Sequence, residues 1–246
     1  MNTTQLEELS LNAWPALQTV VSDGWVLRLA AGYTRRANSV NPLYPGRRPL
    51  AEKIQAAEAL YRGRSVPMVF KLTPAAQPPE LDACLDSLGY RHEAATSVQT
   101  LDLDAAAHAA PGTADADEAL TEAWLDIFCA LSQVAERHRP TMVRMLDSLV
   151  PAHGFFVQNG GDGQALAVGI AVVESGQVGL YDIVTHPAHR RQGHARRLIA
   201  DMLAWARGGG AHGAYLQVML NNAPALKLYE QLGFVEQYRY GYRIKG

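Results

Sequence analysis

The stretch from Tyr181 to Ile199 constrains the fold more than any other part of this 246-residue chain. It has the pattern of a buried strand, then a basic turn that contains Gly193, then an amphipathic helix. The first amides of a helix have no partner within the helix, and the helix dipole places positive charge at the same end. The sequence therefore predicts an anion site, suited to a phosphate or pyrophosphate, where this helix begins.

Charge and composition exclude several classes of protein. A formal net charge of −2 argues against an electrostatic nucleic-acid binder, so the anion site must be built locally. The chain has 2 cysteines, and no Cys/His spacing is typical of a zinc site. No apolar run is as long as a membrane span, and the N-terminus has no signal-peptide pattern. We expect no metal, no nucleic acid and no membrane, and a cytoplasmic location.

Residues 104 to 117 separate two parts of the chain, because they are low in complexity and include no large apolar residue. We predict a first domain over residues 1–104, a linker over 105–117 and a second domain over 118–246. In the second domain, glycine-rich turns join three predicted strands, Phe155–Gln158, Ala165–Val173 and Val178–Thr185. Helices are predicted before and after these strands.

A weak internal repeat links the two parts. Leu85–Tyr90 matches Tyr229–Phe234, which lies 144 residues further on (residue 85 to residue 229). Each segment closes a predicted helix and opens a predicted strand. The order of helices and strands around both segments agrees, which favours a structural repeat.

Two motifs in the second half carry the functional argument. The turn reads Arg190-x-x-Gly193-x-Ala195, and the next strand is followed by Asn222-x-x-Ala225-x-x-Leu228-Tyr229-x-x-x-Gly233-Phe234. Glycine lets the backbone approach an oxyanion without a Cβ in the way. The turn is not followed by Gly-Lys-Ser/Thr and does not have the G-x-G-x-x-G spacing, so it is neither a Walker loop nor a Rossmann fingerprint. Taken alone, the turn is equally compatible with a plain helix start on a solvated basic face.

Together the two motifs resemble the GNAT superfamily of acetyl-CoA-dependent N-acetyltransferases. The resemblance implies a GNAT fold, which is an α+β fold with a mainly antiparallel central sheet and flanking helices, here in two similar halves. It implies that backbone groups bind the pantetheine arm of coenzyme A, that the turn binds its pyrophosphate, that an asparagine contacts it and that a tyrosine is the general acid. The implied pantetheine-binding residues are Ile183, Val184 and Thr185, and the implied pyrophosphate-binding residues are Arg191, Gln192, Gly193, His194, Ala195 and Arg196. The asparagine is Asn222, and the general acid is Tyr229.

The reaction that the resemblance implies is direct transfer of an acetyl group from acetyl-CoA to a primary amine of a small molecule, amino acid or peptide. No metal takes part, and the protein is expected to be a monomer or a homodimer. A coenzyme A-binding sensor without turnover and a transferase that uses another acyl-CoA donor are alternatives. The general base stays open among Asp182, His186, Glu174 and water, since Gln217 cannot serve.

The first half resembles the degenerate half of tandem GNAT proteins. At the repeat spacing, Tyr229 corresponds to Leu85, and Gly193 corresponds to Pro49, which has no N–H to donate. We therefore expect no cofactor in this half, and a role in completing the acceptor pocket or in stabilising the active half. Thr34–Leu43 is predicted as a hairpin strand, whose Arg35 and Arg36 either bind the acceptor or lie on a solvated face.

Overall fold

The computed structural model describes residues 1–105, 115–161 and 163–245. The chain forms two compact units. Unit 1 contains Met1–Val98, Met219–Asn221 and Gln237–Gly246, and unit 2 contains Gln99–Val218 and Asn222–Glu236. The predicted domains were two continuous stretches that end at residue 104 and begin at residue 118. The two units are instead discontinuous, because unit 1 also contains residues from the last part of the chain. Of the predicted linker, residues 106–114 lie outside the described part of the chain.

Unit 1 is built around one sheet with helices packed on it. Its elements are α1 (Thr3–Ala13), β1 (Gln18–Ser22), β2 (Trp25–Leu29), β3 (Val40–Asn41), α2 (Leu50–Arg62), β4 (Met68–Leu72), α3 (Leu81–Ser87) and most of β5 (Arg91–Asp102). Strands β1, β2 and β3 are antiparallel neighbours, and β3 pairs parallel with β4. The core forms where Ile54, Ala57 and Tyr61 of α2 meet Trp25 and Phe70 of the sheet. Their spacing along α2 places them on one helical face, which explains why this segment is an amphipathic helix.

Unit 2 follows the same plan. Its elements are β6 (Asp115–Asp117), α4 (Glu122–Ser132), α5 (Arg139–Leu146), β7 (Ala152–Asn159), β8 (Ala165–Glu174), β9 (Gln177–Thr185), α6 (His194–Gly208), β10 (Gly213–Met219) and α7 (Ala223–Gln231), and the chain continues into β11 (Val235–Lys245). Strands β6 to β9 form an antiparallel series, and β9 pairs parallel with β10. Leu198, Met202 and Ala206 of α6 pack on the sheet. Each large apolar side chain buried there contributes roughly 1.5–3 kcal/mol to stability.

Each unit contains a strand from the other half of the chain. In unit 1, β11 pairs antiparallel with β4, from Gly241 opposite Leu72 to Lys245 opposite Met68. In unit 2, the last part of β5, Gln99–Asp102, is the neighbour of β10. The two sequence halves therefore exchange strands, and neither sequence half corresponds to one unit.

The internal repeat has the same local geometry in both units. Helices α3 and α7 each end in a left-handed glycine, Gly89 at φ +80° and Gly233 at φ +90°. The next residue donates its amide back into the helix, Tyr90 to the Leu85 oxygen and Phe234 to the Tyr229 oxygen, both at 3.0 Å. This pattern is a Schellman ending.

The structure differs from the sequence analysis in three irregular regions. The predicted strand over Thr34–Leu43 is reduced to Val40–Asn41, because the Asn38 side chain accepts from the Ala30 and Gly32 amides and fixes the preceding residues as a loop. Strand β1 was not predicted, and its mostly exposed residues show no alternation. The predicted linker includes β6, which pairs with β7.

Among the described residues, no helix has both the length and the apolar character needed to cross a membrane.

Candidate active site

A β-bulge interrupts β9 shortly before the turn. Tyr181 lies opposite Ile170 of β8, but Val184 lies opposite Val168, so β9 uses one more residue than its partner. Asp182 takes up the extra residue with a left-handed φ of 49°. The Ile183 side chain then packs in the core beneath α6. The sequence prediction of a regular strand missed this bulge, although aspartate is among the residues that tolerate the left-handed region.

Strands β9 and β10 stop pairing close to the bulge. Their parallel register runs from Gln177 opposite Gly213 to Leu180 opposite Leu216. At this point the buried Tyr181 hydroxyl donates to the Tyr215 hydroxyl at 3.2 Å. Ile183, Val184 and Thr185 therefore lie beyond the residues of β9 that pair with β10.

The turn after β9 is held by its backbone. A 3₁₀ turn over Pro187–His189 is followed by two left-handed residues, Arg191 at φ 61° and Gly193 at φ 85°. A Cβ added to Gly193 would have the Arg197 Nη1 atom, 3.6 Å away, as its nearest neighbour. The backbone conformation, and not crowding, thus favours glycine here.

The start of α6 presents backbone donors. Gly193 is the N-cap and provides no side-chain acceptor, and the first turn of α6 includes no acidic residue. Because the first helical bond runs from the Arg197 amide to the Gly193 oxygen at 3.1 Å, the amides of His194, Ala195 and Arg196 have no carbonyl partner within the helix. These amides and the helix dipole are the elements of an anion site.

Hydrogen bonds from the Arg197 side chain stabilise the turn. Arg197 donates through Nη2 to the Gln192 oxygen at 3.2 Å and to His194 Nδ1 at 3.0 Å. The His194 side chain is buried, and burial, followed by the charges of Arg197 and His189, lowers its pKa. His194 therefore favours the neutral form, whose Nδ1 lone pair accepts from Arg197.

Helix α7 places the second motif in the same unit. Arg196 of α6 donates to Gln231 of α7 at 2.8 Å, which ties the turn helix to it. Exposed Asn222 caps α7, because its Oδ1 atom accepts the Ala225 amide at 3.3 Å. The Asn222 oxygen thus already accepts one hydrogen bond, and its side-chain amide group is a donor.

Tyr229 combines deep burial with an unengaged hydroxyl. Its side chain is 9% exposed and packs edge-on against Phe234, with ring centroids 5.9 Å apart. Within the described ranges, the Tyr229 hydroxyl has no hydrogen-bond partner. Burial raises its pKa to about 12, so it stays protonated at neutral pH.

Two candidate general bases have defined positions. Glu174 pairs with Gln177 beside the β8–β9 hairpin, at the opposite end of β9 from the turn. The nine residues of β9 span roughly 26 Å at 3.3 Å per residue. Glu174 is therefore remote from the turn. His186 uses Nδ1 to accept the Ala188 amide at 3.3 Å.

Arg35 and Arg36 are engaged within unit 1. Arg35 forms an ion pair with Glu93 at 2.7 Å, and the Arg36 guanidinium stacks over the Trp14 ring at 4.5 Å. These contacts favour the structural interpretation of the polar stretch over the acceptor-binding one.

The fold and the paired motifs define the class of protein. The solved structure of a GCN5-related N-acetyltransferase from Kribbella flavida superposes with a TM-score of 0.71 at 16% identity, and the match covers 98% of this chain and 95% of that one. A tandem GNAT protein from the clavulanic acid biosynthesis pathway superposes with a TM-score of 0.65 at 16% identity, covering 98% and 87%. The predicted α+β GNAT fold is confirmed.

Sequence comparison gives the family. The family model described as "Probable histone acetyltransferase Rv0428c C-terminal" matches residues 2–243. The Bacillus subtilis (strain 168) protein named "Uncharacterized N-acetyltransferase YobR" is 27% identical over 245 residues, which cover 98% of each chain. The chain belongs to this acetyltransferase family of the GNAT superfamily and is an acyltransferase enzyme. The roles of the individual residues stay predictions.

Proposed function

We propose that this enzyme transfers an acetyl group from acetyl-CoA to a primary amine of a small molecule, amino acid or peptide, at the site in unit 2. The observation that carries the proposal is the start of α6, where a left-handed Gly193 without a side-chain cap precedes three amides that have no carbonyl partner within the helix. A diphosphate is the anion that such a run of amides fits.

The donor set of the turn suits the pyrophosphate of coenzyme A. The amides of Arg191 to Arg196 provide neutral donors, and the arginine side chains add charge-assisted ones. Ala195, where the superfamily often has glycine, keeps its amide, so the change removes no donor. We propose that Ile183, Val184 and Thr185 bind the pantetheine arm through their backbone, and that Asn222 donates to the same ligand.

Coenzyme A supplies the acetyl group as a thioester, which is activated toward attack by an amine. When the amine nitrogen bonds to the carbonyl carbon and the carbon–sulfur bond breaks, the sulfur leaves as a thiolate that needs a proton. We propose that Tyr229 donates it, since its hydroxyl is protonated and has no described partner. The proton that the amine loses passes to water.

The relatives support a nitrogen as the atom that accepts the acetyl group. YobR and the Kribbella flavida protein are named as N-acetyltransferases, so a nitrogen nucleophile is proposed here too. The ammonium form of a primary amine is charged near neutral pH and attacks only after it loses a proton.

The test removes the Tyr229 hydroxyl alone. Tyr229→Phe should lower kcat about 100-fold or more, because general acid catalysis contributes 10²–10⁴, and should leave the Kd of acetyl-CoA unchanged. Tyr44→Phe, which removes an exposed hydroxyl of unit 1, is the matched control. Product formation is measured by mass spectrometry on a panel of amines with acetyl-, succinyl- and longer acyl-CoA. Wild-type turnover in Tyr229→Phe would contradict the assigned role, and turnover with another donor only would contradict acetyl transfer.

A further inference from the structure

The carboxylate of Asp23 occupies the turn before α2 in unit 1. Both of its oxygens accept the Arg47 amide, at 2.9 and 3.1 Å, and Oδ2 also accepts the Arg48 amide at 3.1 Å. Lys53 from the first turn of α2 lies 3.1 Å from the same Oδ2 atom and donates to the Asp23 backbone oxygen at 2.6 Å. Two backbone amides and one ammonium thus surround a single anion.

The turn backbone is packed closely against this carboxylate. A Cβ added to Gly46 would lie 2.2 Å from Asp23 Oδ2 and 2.4 Å from Lys53 Nζ, so only glycine fits. The Arg47 and Arg48 amides lower the pKa of Asp23 to about 2, so the carboxylate is charged across the physiological range.

The same turn, one repeat later, is the proposed coenzyme A site. Eight residues connect β3 to α2 (42–49), and eight connect β9 to α6 (186–193). At the repeat spacing of 144, Arg47 corresponds to Arg191, and Lys53 corresponds to Arg197. Pro49 removes one donor from the unit 1 turn, but the Arg47 and Arg48 amides are still present and both point at Asp23.

We propose that Asp23 is a built-in occupant of the unit 1 turn: its carboxylate takes the donors that the equivalent turn of unit 2 offers to a phosphate, and so keeps phosphate groups out of unit 1. The identification of the excluded ligand as coenzyme A rests on the proposed function. The occupation of the turn by Asp23 is independent of the proposed function.

The experiment uses the full chain with Asp23→Ala and inorganic pyrophosphate as the probe. The backbone amide resonances of Arg47 and Arg48 are followed by ¹⁵N–¹H NMR. In wild type they should not move, whereas in Asp23→Ala they should shift saturably, because the vacated amides and Lys53 donate to the added anion. Wild-type shifts at Arg47 and Arg48, or a folded Asp23→Ala protein whose two amides stay unmoved, would overturn the proposal.

The amides of His194 and Ala195 are read in the same spectra. They report on the turn of unit 2, so a failure of the proposed function appears there while the Arg47 and Arg48 resonances still test Asp23.

A second variant covers the case in which Asp23→Ala does not fold. Asp23→Asn keeps the shape but loses the charge, and we expect the Arg47 and Arg48 amides to exchange with deuterium about tenfold faster than in wild type. Asp102→Asn is the matched control, because Asp102 also accepts two backbone amides, from Asp104 and Ala105. Unchanged exchange at Arg47 and Arg48 in Asp23→Asn would overturn the proposal.

Discussion

Two glycines at the ends of α6 allow the anion site to be tested separately from helix stability. Gly193 before the helix and Gly210 after it both have left-handed backbones, at φ 85° and 86°. A Cβ at Gly210 would meet no atom within 4 Å, and one at Gly193 would meet only Arg197 Nη1, at 3.6 Å. Alanine therefore brings no steric clash at either position, and each substitution should cost about 1 kcal/mol for the left-handed conformation.

The two variants should differ in binding. At Gly193 the added methyl group lies where the α6 amides face the proposed pyrophosphate. Loss of one charge-assisted hydrogen bond costs about 2 kcal/mol, which corresponds to about 30-fold in the Kd of coenzyme A. Gly210→Ala should leave that Kd unchanged.

Urea denaturation and calorimetric titration with coenzyme A measure the two quantities. We expect Gly193→Ala and Gly210→Ala to lose the same amount of stability. Only Gly193→Ala should bind coenzyme A more weakly. If Gly193→Ala binds coenzyme A as tightly as Gly210→Ala does, the turn is not the pyrophosphate site, and the roles given to its amides are wrong.

Two further expectations concern buried charged and titratable groups. Lys71→Met should destabilise the fold by about 3 kcal/mol in urea denaturation, because it leaves the fully buried Glu7 carboxylate without its cation. Adding Glu7→Gln to Lys71→Met should recover most of this loss. A loss of stability below about 1 kcal/mol in Lys71→Met would contradict this expectation. The lowered pKa of His194 means that its contribution to stability is complete above pH 6.5 and declines as the pH falls below that value. NMR titration of Arg197→Ala should show the His194 pKa closer to 6.5, and an unshifted titration would mean that Arg197 does not hold it down.

The parts of the fold that local sequence determines were predictable. Gly193 and Gly233 mark a helix start and a helix end because the left-handed backbone favours glycine, and both have φ values in that region. The spacing of Leu50, Ile54 and Ala57 is typical of one face of a helix, and α2 spans Leu50–Arg62. In these cases the residue and its neighbours within one turn decide the structure.

The parts that depend on distant partners were not predictable. The bulge at Asp182 exists only relative to the register of β8, which no local pattern encodes. Strand β3 is short because Asn38 accepts amides from residues six and eight positions earlier. For Asp23, the sequence shows an aspartate in an Asp-Gly turn, whereas its partners lie 24 and 25 residues away.

Because β11 belongs to unit 1, it also sets the order in which the two units can complete their folding during synthesis. The ribosome makes Val98 well before Gln237, and the 139 residues from Gln99 to Gln237 (237 − 98) take roughly 7–28 seconds at 5–20 residues per second. During that interval β4 lacks the neighbour that pairs with it from Gly241 to Lys245. The unit that is synthesised first is therefore completed last. A nascent chain that stalls before β11 has an open edge at β4, which can pair with another chain.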